Sequence, residues 1–309
     1  MALILNNDSY VKNSQFYLSR FFRLYPIYIS CVIITMIFGL GNTTSGTNIL
    51  SDNLEIIPSI FIIFTNLTMI FQDLTMITGI NGNNIEFVQY FTDSKPLPIY
   101  NYLYVPQAWS LGLELSFYLV APFLLKNIKI EKILFFIVLS LMIRGLLMAK
   151  GFKEDPWNYR FFPSEISLFL AGSISYIFYK KKLFFKDQDI QKILTFFIIC
   201  FVASYSYLRI PEKDLIFYIC LIMLLPTIFT CTKNLKIDKF FGDISYPVYC
   251  CHIFVFHFFI NKIEFLASYP SGFFQTTISY LIIFIVGIIL YYFVQLPTDK
   301  IRKKFKNNI

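Results

Sequence analysis

The sequence predicts an all-α, polytopic helical membrane protein with eight transmembrane helices plus one re-entrant or interfacial helix. Three observations carry this. The chain has 309 residues, 56% of them hydrophobic and only 15% charged, well below the quarter usual in soluble domains. Apolar runs of about 17–20 residues, the length that crosses a bilayer as a helix, recur from end to end. Lys and Arg gather between those runs, so the net charge of +8 reads first as membrane topology rather than nucleic-acid affinity. No stretch is long and polar enough for a soluble domain. A single integral membrane domain over 1–309 is expected.

The chain opens with a mostly polar stretch, 1–23, which closes on Ser19-Arg20-Phe21-Phe22-Arg23. The first apolar run, 24–41, follows. Residues 42–54 are rich in Asn, Thr, Ser and Gly and carry no Lys or Arg. A second run, 55–71, contains the polar residues Thr65, Asn66 and Thr68. Residues 72–106 form a long, slightly acidic, aromatic-rich loop. Further runs lie at 108–125, 133–149, 162–179, 192–208, 215–231, 244–260 and 275–294, and the basic tail Lys300-Ile301-Arg302-Lys303-Lys304 comes after them.

Nine spans conflict with the charges. Lys126, Lys129 and Lys132 form one basic connection, Lys180 to Lys182 with Lys186 a second, and Lys233, Lys236 and Lys239 a third. The positive-inside rule places all three on the cytoplasmic side, with Arg20, Arg23 and the tail. That holds if run 55–71 enters and leaves on the same face. The Thr65-Asn66 pair suits a helix lining a cavity rather than facing lipid. Both termini are then cytoplasmic and 42–107 lies outside, where a long connection concentrates function.

Several chemistries find no support. Cys31, Cys200, Cys220, Cys231, Cys250 and Cys251 lie in or beside apolar runs without zinc-ligand spacing and read as packing residues. No metal site is expected. Nothing matches a P-loop, a G-x-S-x-G elbow or a dinucleotide fingerprint. Residues 6–23 are too polar for a signal-peptide core.

Four constellations carry polar chemistry into the apolar runs. Gln107, Ser110, Glu114 and Tyr118 are spaced three, four and four apart, one stripe on a helix. A carboxylate at membrane depth costs about 2.5–3.5 kcal/mol on insertion scales, so Glu114 faces either a neighbouring span or a wet functional cavity. Arg20 and Arg23 share a helix face. They serve either as topology signals that snorkel to lipid phosphate or as a fork that grips a phosphate or diphosphate. Ser245, Tyr249, His252 and Phe256 share a face of run 244–260. His252 either bonds a neighbouring helix or takes a proton from an alcohol. His257 falls on a different face. Arg144, Arg160 and Glu165 each need a partner or water, and mutual neutralisation across helices is one solution.

Together these residues resemble the membrane-bound acyltransferase family 3, the bacterial O-acyltransferases of surface polysaccharides. The Arg-x-x-Arg stretch ending in Pro is Arg20 to Pro26. The Trp-Ser-Leu-x-x-Glu-x-x-Phe-Tyr-x-x-x-Pro stretch is Trp109, Ser110, Leu111, Glu114, Phe117, Tyr118 and Pro122. An Arg preceding a Gly-containing span is Arg160 with Gly172. The Ser-Tyr-x-x-Tyr-x-x-His stretch is Ser245, Tyr246, Tyr249 and His252. The four stand in the family's order over nearly the whole chain. Two departures are visible. The chain has no counterpart of the family's first two spans, which carry a histidine after an Arg-Gly pair, so it is N-terminally incomplete relative to the family. The family's closing Glu-x-Pro is Gln295-Leu296-Pro297.

The resemblance implies a membrane-bound O-acyltransferase acting on groups other than aminoacyl groups, in the bacterial inner membrane. It would move an acyl group, acetyl in the first instance, from cytoplasmic acyl-CoA to a hydroxyl of a cell-surface carbohydrate such as lipopolysaccharide. No cofactor is bound; acetyl-CoA is a co-substrate, and the bilayer and the carbohydrate are the partners, with no nucleic acid. Glu114 and His252 would be catalytic and Arg20 and Arg23 would hold acyl-CoA. Trp109, Ser110, Tyr118, Arg160, Ser245 and Tyr249 would line the acceptor site or the pathway, with Tyr100, Tyr102 and Tyr104 beside them. A transporter or flippase for a lipid-linked sugar, or an inactive remnant of the acyltransferase, are the rival readings. The transporter predicts inverted repeats or paired broken helices, which the sequence does not display.

Overall fold

A computed structural model describes residues 1–6, 10, 12–38, 54–91, 93, 95–210, 213–262 and 273–307. The external loop expected over 42–54 lies almost wholly outside the described residues. The chain is helical nearly throughout, and among the described residues five helices are long and apolar enough to span a membrane: Asn13–Ile37, Pro106–Leu125, Ile130–Ala149, Lys213–Thr232 and Gln275–Lys303. This is a multi-pass helical membrane protein. The expected eight spans are not reached by length and apolarity alone.

Internal contacts divide the chain into two compact units. The first comprises Met1–Ser9, Ala121–Leu141 and Ile166–Gly242. It holds α1 (Ala2–Asn6), the end of α4 (Trp109–Leu125), much of α5 (Ile130–Ala149) and α6 (Phe162–Lys180), and all of α7 (Gln188–Ser204) and α8 (Lys213–Thr232). Asp187 starts α7, its carboxylate accepting from the backbone N–H of Asp189 (2.9 Å) and Ile190 (3.0 Å), which satisfies two donors orphaned at a helix start. At the other kind of terminus, Asn6 Nδ2 donates to Leu125 O (2.8 Å) at the end of α4. Ser175 Oγ donates across to Ile222 O (2.8 Å), tying α6 to α8. Phe135, Val138, Ile193, Phe196, Ile219 and Met223 stand exposed along these helices, an apolar surface of the extent that marks contact with lipid.

The second unit comprises Tyr10–Val120, Met142–Glu165 and Asp243–Ile309. It is built on α2 (Asn13–Ile37), α3 (Ile56–Thr68), most of α4 and α9 (Lys236–Lys262), α10 (Phe273–Leu290) and α11 (Leu296–Asn307), with a π-helical turn, Tyr291–Gln295, between the last two. Helix α2 starts well before the apolar run that announced it. Helix α3 has 13 residues, about 20 Å at 1.5 Å per residue, too short to cross a bilayer. Its C-terminus turns sharply, with Met69 and Phe71 at φ 64° and 63°.

Thr65 and Asn66 do not line a cavity. Both are buried, and Asn66 Nδ2 donates to Tyr102 O (3.0 Å) while its Oδ1 accepts from Tyr104 N (2.9 Å). Tyr28 Oη donates to Asn66 O (2.7 Å), and Gln72 Nε2 reaches Tyr28 Oη (2.6 Å). These bonds satisfy the irregular backbone after α3 inside protein, as membrane depth requires.

Residues 72–106 are more ordered than a loop. They contain a three-stranded antiparallel sheet in the order β2-β1-β3, with β1 Thr78–Asn81, β2 Asn84–Phe87 and β3 Leu97–Pro98. Gly82 (φ +59°) sits first in the two-residue β1–β2 turn, the place where such hairpins demand a left-handed backbone. Ile80, Ile99 and Tyr102 pack on Ile62 of α3 beneath the sheet.

Candidate active site

The site is organised along α4. Gly112 lets the chain after α3 press onto this helix: a Cβ there would meet Asp73 N at 2.8 Å and Gln72 N at 3.2 Å, both backbone atoms. Asp73 is therefore buried. One carboxylate oxygen, Oδ1, has no hydrogen-bond partner, and burial pushes its pKa up to about 6, since desolvation disfavours the charged form.

The first two members of the stripe foreseen on α4 and the turn before it are hydrogen-bonded to α9. Gln107 Nε2 donates to Cys250 O (2.7 Å), and Ser110 Oγ bonds Tyr249 Oη (2.6 Å). Tyr249 Oη also donates to Gln107 O. A turn further on, Tyr118 Oη donates to Glu114 Oε1. His252 Nδ1 lies 2.6 Å from Tyr249 O. A carbonyl only accepts, so Nδ1 carries the proton and Nε2 keeps the basic lone pair of the neutral ring. Among the described residues Glu114 and His252 share no direct hydrogen bond. Ser110 and Tyr249 stand in the polar file between them, and among the described residues no hydrogen bond links that pair to Glu114.

Each end of the file meets a cavity. The first, about 470 Å³, is lined by Tyr17, Arg20, Phe21, Leu24, Tyr25, Thr68, Met69, Ile70, Phe71, Gly112, Leu115, Ser116, Tyr118 and Leu119. Arg20 is 5% exposed. Its guanidinium lies 5.7 and 5.8 Å from the ring centroids of Phe16 and Tyr118. Among the described residues its Nη2 finds only Ser19 Oγ, at 3.4 Å, and its Nε has no partner. A buried cation without an acid costs several kcal/mol, and no acid pairs with Arg20 among the described residues. Arg23 is exposed.

The second cavity, about 870 Å³, is lined by Met76, Phe91, Tyr100, Asn101, Pro106, Gln107, Trp109, Arg160, Val248, His252, Ile253, Phe256, His257, Tyr280 and Ile283. Arg160 is a fixed wall of it. Asp155 holds it by two bonds, 2.7 and 2.9 Å, and the rings of Phe91 (4.2 Å) and Trp109 (4.5 Å) pack against the guanidinium. Tyr100 stacks on Phe91 with centroids 4.5 Å apart. Burial raises the pKa of Tyr100 while Arg160 lowers it.

Other expected residues fall elsewhere. Ser245 is exposed and lines neither cavity. Its neighbour Tyr246 faces inward and donates to Leu24 O (2.6 Å). Tyr102 is core, and Tyr104 lines neither cavity, because the 3-10 turn Ile99–Tyr102 presents only Tyr100 and Asn101 to the cavity. Glu165 pairs with Arg144 at 2.5 Å, so neutralisation across helices explains that pair, whereas Arg160 takes Asp155. His257, set on another face by its spacing, lines the His252 cavity. Arg302, read from sequence only as part of a basic tail, is brought by α11 against α2, close enough for the charges of Arg20 and Arg23 to act on it.

A chain from Aquifex aeolicus (strain VF5), described as an uncharacterized protein, is 25% identical over 196 residues, covering 59% of this chain and 86% of the relative. No solved structure matches. The family model described as "Acyltransferase domain" matches residues 3–294. With nearly its whole length accounted for by that match, this multi-pass membrane protein belongs to acyltransferase family 3.

Proposed function

We propose that the protein transfers an acyl group, acetyl in the first instance, from acyl-CoA to a hydroxyl of a cell-surface carbohydrate, in a bacterial cytoplasmic membrane. One observation carries the reading. Two hydrogen-bonded pairs, Ser110 with Tyr249 and Glu114 with Tyr118, lie along α4 between a guanidinium buried with no acidic partner among the described residues and a larger cavity walled by aromatic rings and a histidine. The first suits the phosphates of a CoA donor and the second a sugar, whose faces stack on rings such as Trp109 and Tyr100.

In this reading Arg20 and Arg23 hold the donor. His252 Nε2 takes the proton from the acceptor hydroxyl as its oxygen attacks the thioester carbonyl. The carbon–sulfur bond breaks, the CoA thiolate leaves, and the proton passes to it. Ser110, Tyr249, Glu114 and Tyr118 supply the groups that relay charge between the two cavities. Arg160 and Trp109 orient the sugar.

The test is the O-acetyl content of surface polysaccharide, read by NMR, in cells with and without the protein. No difference in acetylation, or in any longer O-acyl ester, removes the acyltransfer reading. The eight-span arrangement belongs to the same proposal: a cysteine placed at Asn83 should be labelled from outside and one at Lys236 should not.

A further inference from the structure

We infer that Arg302, from α11, joins Arg20 and Arg23 of α2 in one phosphate-binding site. The inference deepens the donor assignment above and rests on it for the choice of CoA as probe. Helix α11 packs on α2. Arg302 pairs with Asp299 at 3.1 Å and lies within the field of both α2 arginines. Arg302 thus feels two further guanidiniums and one carboxylate. Arg20, the most buried of them, has an unpartnered Nε. Like charges gathered in a low-dielectric region repel unless an anion sits among them. Positive-inside topology accounts for basic residues on this side, but it asks only that they reach water. It gives no reason to bury Arg20 or to bring a third guanidinium from a helix distant in sequence.

The chemistry of the ligand follows from the surroundings. A phosphate ester offers several acceptor oxygens to planar forks. Beside Arg20 the 470 Å³ cavity is walled by Leu24, Met69, Leu115 and Leu119, which suits an apolar arm attached to that phosphate. The phosphate comes from the donor nucleotide or from an anionic lipid headgroup. The same three side chains would hold either.

The experiment uses the full chain in phosphatidylcholine nanodiscs, with CoA affinity read by calorimetry and melting temperature read with and without phosphatidylglycerol. Arg302→Gln should weaken CoA about tenfold or more, the scale of one lost charge-assisted hydrogen bond. Arg302→Lys should recover part of the loss, keeping the charge without the fork. Asp299→Asn should tighten CoA by releasing Arg302, and this variant decides the matter if Arg302→Gln does not fold. Phosphatidylglycerol raising the melting temperature of the wild type but not of Arg302→Gln, with CoA unbound, assigns the phosphate to lipid. The site then stands and the donor assignment falls. CoA affinity and lipid response both at wild-type level in Arg302→Gln and Asp299→Asn, or a wild type indifferent to both probes, overturns the inference.

Discussion

The two cavities of the second unit are lined in opposite ways. The Arg20 cavity has almost wholly hydrocarbon walls and one buried cation whose needs the protein leaves unmet. The His252 cavity is nearly twice as large, 870 against 470 Å³, and its cation and its imidazole are already held, Arg160 by Asp155 and His252 by a backbone carbonyl, while Gln107 donates to α9 and keeps a free Oε1 among the described residues. An unpaired charge in an apolar wall selects for an anion by electrostatics. Fixed donors and rings in a roomier space select for shape and hydroxyl positions. One helix serves both, because Trp109 and Gly112 lie within a turn of each other on α4.

Four outcomes would break or sharpen that division. His252→Asn should lower turnover by roughly 10²–10⁴ while leaving the KM for acyl-CoA unchanged, both read in membranes with acceptor polysaccharide. A shift in donor KM instead would mean that the cavities are not separate in function. Asp73 backs the Arg20 cavity behind Gly112. Its folded pKa, about 6, lies above the unfolded 3.8, so ionisation opposes folding. Stability from this group is greatest at low pH and falls as pH rises through about 6. Asp73→Asn should therefore stabilise the protein by about 3 kcal/mol at pH 7.5 and by only about 0.5 kcal/mol near pH 4, read as melting temperature against pH. Gly112→Ala should cost about 1–3 kcal/mol through overpacking, because the atoms it meets are backbone, and denaturation in detergent would measure it. Arg20→Lys should raise donor KM about tenfold with turnover on saturating donor unchanged, since a point charge cannot replace the fork.

Much of the site was legible because it is local. Residues spaced three and four apart on one helix must share a face, so Gln107, Ser110, Glu114 and Tyr118 could be grouped from their numbers alone, and Tyr249 with His252 likewise. The same logic failed for single residues. Ser245 fits the spacing but sits on the exposed side of α9, and Tyr102 alternates into the core while Tyr100 reaches the cavity. The sheet over 78–98 is made of strands two to four residues long, too short for a period to register. Arg160 pairs with Asp155 across a non-helical turn, where helical spacing says nothing, and Arg302 comes into the field of Arg20 across most of the chain, which no sequence window contains.

The π-helical turn Tyr291–Gln295 sets a phase. Such a turn carries one residue more than the α-helix it interrupts, and each residue of an α-helix advances the face by about 100° at 3.6 residues per turn. The turn takes up that extra residue without turning the helix beyond it, so adding one more residue there, which it cannot also absorb, would swing the whole of α11 round by that angle. Arg302 and Asp299 would leave the side that packs on α2, while sequence composition, apolar length and net charge stayed almost as they were.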